Sequence, residues 1–245
     1  MNQNSIQPPL LRCQNVSKTF QNGQKRLEVF KNIELHICSG ESVLLAGKNG
    51  QGKSVLLSIL CGLDMPTNGD IYFDGIWLNS CSSLQWETLR RTSIGIIFQN
   101  LNLVPSWTAL EQVEAALEDI VPSSNKRRIR AIAMLEEMGL ADRLNHLPGE
   151  LSMGEQQRVA IARTLIREPK LILADEPTGD LDPRTAEDIL YLLHKQVLHS
   201  KTALLVATHG NFPEIYFDRR YFLNNKSLVP FPATFKNETL TLSRQ

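Results

Sequence analysis

Gly47-Lys48-Asn49-Gly50-Gln51-Gly52-Lys53-Ser54 reads G-x-x-x-x-G-K-S, and its flanks decide the fold. Upstream, Ser42-Val43-Leu44-Leu45-Ala46 is a short apolar run of the kind buried on both faces of a parallel sheet. Downstream, residues 53–61 place Leu56, Ile59 and Leu60 at helical spacing. Strand, glycine-rich loop and helix in that order are the context in which such a loop holds phosphate. The glycines let backbone N–H groups turn inward around phosphate oxygens, and the helix N-terminus adds partial positive charge. Lys53 brings a point charge for β- and γ-phosphates, and the Ser54 hydroxyl is a ligand for Mg²⁺. A glycine-rich turn beside a surface lysine is the plainer reading, and the strand–loop–helix order argues against it.

Working outward, Leu171-Ile172-Leu173-Ala174 and Ala203-Leu204-Leu205-Val206-Ala207 read as further buried parallel strands. The first runs into Asp175 and Glu176, and strand ends are where open α/β sheets bind ligands. Asp175 is placed to hold Mg²⁺ through water, and Glu176 to orient and deprotonate an attacking water. Taken alone, the pair could also be two solvated charges after a strand, a reading that the phosphate loop argues against. Residues 10–37 and 70–78 look like shorter alternating strands, an antiparallel side sheet. Residues 108–166 form a helical stretch that opens after Pro105 and stops before Pro169. The expected fold is α/β, a RecA-like P-loop NTPase with a mixed sheet core, an antiparallel β side sheet and a helical lobe. The tail, residues 230–245, shows no periodicity.

Composition sets outer bounds. Lys+Arg and Asp+Glu both count 26, so the neutral chain has no long-range field for nucleic acid or membrane, and such contacts must be local. The basic run Lys126-Arg127-Arg128-Ile129-Arg130 reads as a solvated helix face rather than a nucleic-acid footprint. No apolar run approaches the ~18 residues needed to span a bilayer. Residues 1–9 are polar and lack an apolar signal core, which predicts a cytosolic chain. Cys13, Cys38, Cys61 and Cys81 show no CxxC pairing and are expected as free thiols.

Two nucleotide motifs indicate a P-loop NTPase without saying which. The deciding segment is Leu151-Ser152-Met153-Gly154-Glu155-Gln156-Gln157-Arg158-Val159-Ala160-Ile161-Ala162-Arg163, which closely resembles the signature of ATP-binding-cassette (ABC) proteins and its following helix. Ser152-x-x-Glu155 is also a capping box, with Val159, Ala162 and Leu165 on one helix face, and both readings can hold at once. The resemblance spans roughly residues 10–222. It implies that Ser152 and Gly154, with Met153 and Glu155 in the same signature, contact a γ-phosphate held by another subunit. It identifies Gln99 as a Q-loop glutamine at the catalytic site and the Mg²⁺, and Gly179-Asp180-Leu181-Asp182 as a D-loop in which Asp182 takes part. It identifies His209, after Ala207-Thr208, as a switch histidine on the γ-phosphate. Catalysis then falls to Glu176, His209, Lys53 and Gln99, and Mg²⁺ to Ser54, Gln99 and Asp175. ATP is expected on Gly47, Lys48, Asn49, Gly50, Gln51, Gly52, Lys53, Ser54 and Val55. Phe20 sits where the family stacks an aromatic on adenine; a core phenylalanine is the alternative.

The resemblance further implies two lobes, a nucleotide lobe of about residues 1–100 and 168–245 and a helical lobe of about 101–167. It implies a head-to-tail pair of such subunits, foremost a homodimer, coupled to an integral-membrane permease at the cytoplasmic face of the inner membrane. Phe98-Gln99-Asn100-Leu101-Asn102-Leu103-Val104-Pro105, Thr108-Ala109-Leu110-Glu111 and Ala174-Asp175-Glu176-Pro177-Thr178-Gly179 are similar to the lipoprotein-releasing, macrolide-exporting and cell-division group, which also allows a periplasmic adaptor. Three departures stand out. Met153 replaces a signature glycine, at roughly 1–2 kcal/mol if that position is left-handed. Lys48, Asn49 and Gln51 fill variable loop positions unusually, and Gly210 follows His209 where the family usually has Asp. Two rival functions remain, a soluble ABC ATPase acting on DNA or ribosomes and a weakly hydrolysing ATP-gated module. Single-cassette length without long heptads argues against the first, and retained Glu176 and His209 against the second.

Overall fold

The computed structural model describes residues 8–23, 25–179, 181–209 and 214–231. Asp180, Gly210, residues 1–7 and the tail from 232 lie outside the described residues. The chain forms two sheets. A six-stranded mixed sheet runs in the order β10-β9-β3-β8-β7-β6. Its parallel members are β3 (Ser42–Ala46), β6 (Ile94–Ile97), β7 (Leu171–Asp175), β8 (Ala203–Thr208) and β9 (Arg219–Asn224). β10 (Ser227–Pro230) turns back antiparallel on β9. An antiparallel sheet of β1 (Leu11–Asn22), β2 (Lys25–Ile37), β4 (Asn68–Phe73) and β5 (Ile76–Trp77) runs in the order β2-β1-β4-β5.

β3 is buried at every residue, as its unbroken apolar run requires of a central parallel strand. β1 and β2 are longer than the short strands expected, 12 and 13 residues. Register shifts between Cys13 and Thr19 let the pairing continue. Asn15 sits at one shift with φ 52, its N–H donating to Glu34 Oε1 at 2.7 Å.

The expected helical stretch is three α-helices, α3 (Ala109–Ala115), α4 (Ser124–Glu137) and α5 (Met153–Leu165). Thr108 and Ser152 cap α3 and α5 with full capping boxes to Glu111 and Glu155. The basic run lies on α4, where Lys126 and Arg128 are exposed and Arg130 bonds Ile166 O and Glu168. Two further helices, α2 (Ser83–Thr92) and α6 (Pro183–Ser200), and the strands β6, β9 and β10 add to the elements expected from sequence.

The core divides at the large sheet. One apolar cluster joins the antiparallel sheet, α1 (Lys53–Leu60) and one sheet face, including Leu45, Leu56, Leu171 and Leu205. The other joins the opposite face, including Leu44, Ile172 and Val206, to α3–α6. Arg163 on α5 donates to Leu101 O at 2.7 Å and Asn102 O at 2.8 Å, tying that helix to the segment after β6. Among the described residues no helix is long and apolar enough to cross a membrane.

Candidate active site

Four strand ends and one loop meet at one edge of the large sheet. Phe20, Leu27, Val29, Asn49, Gly50, Gly52, Lys53, Ser54, Val55, Gln99, Glu176 and His209 line a cleft of about 470 Å³. Gly47, Lys48 and Gln51 belong to the same loop but do not line the cleft. Gly47 N instead donates to Thr208 O at 3.1 Å, which ties the loop to the end of β8. Gly50 and Gly52 have φ 79 and 98, and a Cβ on Gly52 would lie 2.4 Å from Val29 Cγ1. Only glycine takes both the left-handed backbone and that close approach.

Lys53 opens α1 and is 5% exposed. Its ammonium donates to Gly47 O at 2.8 Å and lies 3.5 Å from Glu176 Oε1. Glu176 is 8% exposed and holds φ 47, a left-handed backbone for a side-chain-bearing residue. Its N–H donates to Ala207 O at 2.9 Å. Its carboxylate accepts from Thr208 Oγ1 at 3.0 Å and meets His209 Nδ1 at 2.7 Å. A carboxyl group, an ammonium and an imidazole therefore share one partly dehydrated corner, where electrostatic interactions are stronger than in water.

Asp175 lies beneath them at the end of β7. Burial, chiefly, and the neighbouring Glu176 charge push its carboxyl up, against the hydrogen-bonding Ser54 hydroxyl and the Lys53 charge. Its Oδ1 is buried without a hydrogen-bond partner. An orphaned carboxylate oxygen beside a serine hydroxyl is a hard-oxygen pair suited to Mg²⁺, which completes its shell with water and phosphate oxygens. Among the described residues no cluster of three His, Cys, Asp or Glu could hold a metal without such help.

Phe20 is 42% exposed and faces the cleft, so it is not a core residue. Lys18 Nζ stands 4.7 Å from its ring centroid and is held by Asp64 at 2.6 Å. Leu27 and Val29 on β2 complete this apolar wall. Sequence reading missed them because only the β1–β2 pairing, Phe20 opposite Leu27, brings them there. Thr208 was also missed; a polar residue ending an otherwise apolar strand was the available signal.

Ser152, Met153, Gly154, Glu155 and Asp182 line a different cleft of about 540 Å³, which shares no lining residue with the first. Ser152 N and Oγ both donate to Glu155 Oε2 at 2.8 Å, and Arg143 Nε donates to Oε1 at 2.8 Å. The Ser152 bonds, then Arg143, hold the Glu155 carboxyl below the usual range. Met153 is the first residue of α5, has no positive φ and is 49% exposed, so the strain considered from sequence is absent. Gly154 is constrained instead: a Cβ there would lie 2.6 Å from Thr185 Cγ2 on α6. Asp182 caps α6, accepting from Arg184 N at 3.1 Å and Thr185 N at 3.2 Å.

The pattern of the family described as ABC transporter matches residues 30–179. The ATP-binding cassette MJ0796, in a dimeric post-hydrolysis state bound to ADP and Pi, is 39% identical with TM-score 0.83, over 89% of this chain and 96% of that one. A dimeric structure of MJ0796 described as a bacterial ABC transporter cassette gives the same figures. cbiO1 from Clostridium perfringens, part of the ABC transporter complex cbiONQ, is 28% identical with TM-score 0.80, over 90% and 87%.

Proposed function

The chain belongs to the ABC transporter family, and from that premise we propose that it is the ATP-hydrolysing subunit of a transporter whose permease it drives by pairing and separating with a second copy. One observation carries this reading. Lys53, Ser54, Gln99, Glu176 and His209 share a cleft with Phe20, while Ser152 and Asp182 face another. Each chain thus supplies a phosphate-holding half and a signature half that do not meet within it. Head-to-tail pairing joins one chain's Ser152 and Gly154 to the other's γ-phosphate.

In this reading adenine stacks on Phe20 against Leu27 and Val29. The N–H groups of the loop and Lys53 hold the phosphates. Lys53 gives up its contact with Gly47 O to do so. Ser54 and Asp175, with Gln99, would hold Mg²⁺, which supplies charge neutralisation on the phosphates. Glu176 takes a proton from the attacking water, and His209 exchanges its bond to Glu176 for the γ-phosphate. The two lobes, residues 1–100 with 168–245 and residues 101–167, move against each other as the pair closes. A cytoplasmic helix of the permease docks between them near Gln99, at the inner face of the membrane. The segments around Gln99, Thr108 and Asp175 favour a partner of the lipoprotein-releasing or macrolide-exporting kind.

Size-exclusion chromatography of Glu176→Gln with and without Mg·ATP tests the reading. The amide keeps size and hydrogen bonding but cannot accept the proton, so hydrolysis should slow by about 10²–10⁴. The variant should accumulate as an ATP-bound dimer. A monomer that turns over ATP normally would overturn both the base and the pairing.

A further inference from the structure

We propose that Thr208 is a positioning residue for hydrolysis, holding the Glu176 carboxylate at the angle from which it meets water; this rests on the reading of Glu176 as the base. Thr208 ends β8 and is 1% exposed. Its Oγ1 donates to Glu176 Oε2 at 3.0 Å, while His209 Nδ1 takes the other oxygen at 2.7 Å. The two oxygens are thus fixed by two adjacent residues of one strand end. His209 releases Oε1 to reach a γ-phosphate, and once it does, Thr208 is, among the described residues, the remaining side-chain donor to the carboxylate besides Lys53, whose ammonium lies 3.5 Å from Oε1.

Lys53 is itself drawn to the phosphates when nucleotide binds. Without the Thr208 hydroxyl, Glu176 would be free to swing toward that ammonium and away from the water. The backbone makes Thr208 a suitable anchor. Its carbonyl accepts from Gly47 N at 3.1 Å, and the preceding carbonyl, of Ala207, accepts from Glu176 N at 2.9 Å. One strand end therefore fixes the phosphate loop and the base relative to each other. A hydroxyl bond to a charged, buried group is among the stronger neutral-donor contacts, and misplacing a reacting group costs rate rather than affinity.

The test is steady-state ATP hydrolysis by Thr208→Val, Thr208→Ser, Glu176→Gln and the Thr208→Val/Glu176→Gln double variant, with thermal melts to confirm folding. Thr208→Val, close in shape but without the hydroxyl, should lose about tenfold in kcat, equivalent to about 1.4 kcal/mol. Its KM for ATP should stay within about twofold of the wild type, because the phosphate contacts are untouched. Thr208→Ser should retain the wild-type kcat. The double variant should be no slower than Glu176→Gln, since a residue acting through Glu176 has nothing left to position. If Thr208→Val does not melt cooperatively, Thr208→Ala is read in the same way. Wild-type kcat in the valine variant, or equal loss in Thr208→Ser, overturns the proposal, as does a double variant slower than Glu176→Gln by the same tenfold. Wild-type rates in Glu176→Gln overturn the base assignment and this proposal with it. A slow Glu176→Gln beside a normal Thr208→Val overturns this proposal alone.

Discussion

His209 Nδ1 lies 2.7 Å from Glu176 Oε1 across the ends of two neighbouring parallel strands. The contact joins the proposed switch to the proposed base. His209→Ala removes the proposed γ-phosphate contact and leaves Glu176 to Thr208 and Lys53. ATP affinity should change by less than about threefold, while hydrolysis falls by about 10² or more. Nucleotide titration beside single-turnover hydrolysis checks this; equal losses in both would place His209 in binding rather than turnover.

At Phe20 the proposed base recognition can be tested apart from folding. The ring is well exposed at the cleft wall, so Phe20→Ala should leave the melting temperature nearly unchanged. ATP binding should weaken by about 1–3 kcal/mol, the range for base–aromatic stacking, and Phe20→Tyr should be nearly neutral. Calorimetric titration with ATP and with triphosphate alone decides it: the loss should appear for ATP only.

Asp175 is unfavourable to the fold without metal, because burial and Glu176 oppose its charge. A carboxyl raised in the folded chain keeps its proton there at pH values where the unfolded chain has lost it. Its contribution to stability is present at low pH and is lost as pH rises through the folded value. Asp175→Asn should therefore stabilise the metal-free chain at neutral pH and flatten that part of its acid profile. It should also lose most of the Mg²⁺ enhancement of ATP binding. Melts across acid pH and Mg²⁺ titrations measure both; a less stable Asn variant with normal Mg²⁺ dependence would contradict the account.

Met153→Gly is expected to leave the ATPase rate unchanged, since Met153 already has ordinary helical angles. Stability should fall by no more than the glycine penalty, roughly 1 kcal/mol. A several-fold rise in rate would show that the methionine side chain itself restrains pairing.

Burial pushes the Cys13 thiol up to about 12 and the Cys61 thiol up to about 11. Both stay protonated near neutrality, and the thiolate is the reactive form. Maleimide at about pH 8 should modify Cys38 and Cys81, which are half-buried, long before these two. Mass spectrometry with and without denaturant reads the order.

What was legible in the sequence was whatever one strand and its own loop could encode. Gly47 to Ser54 and Asp175-Glu176 announce themselves because chemistry sits at the end of an apolar run. β6 did not, because Ile94-Gly95-Ile96-Ile97 is too short to show a period, and its glycine exists for a neighbour: a Cβ there would lie 2.6 Å from Thr164 Cγ2. Helix α2 has a cap legible in sequence, Ser82 with Gln85, but little apolar periodicity behind it to mark a helix. The separation of the two clefts was expected only through the family resemblance, and no local pattern carries it. It depends on how α5 and α6 lie against each other, with Gly154 against Thr185, and no local pattern records a contact between helices some thirty residues apart.

Arg163 ties helix α5 to the segment that follows Gln99. Its guanidinium grips two successive carbonyls, Leu101 and Asn102, just beyond Gln99. The fork is rigid and planar, so it resists shear as a single-point contact would not. In the proposed coupling, a push that tilts α5 would reach Gln99 along this strut rather than be absorbed by loop slack. Force from a membrane partner and chemistry at the γ-phosphate would then be two ends of one linkage, held by Arg163 and by the Thr164 hydroxyl, which donates to Ile96 O at 3.2 Å.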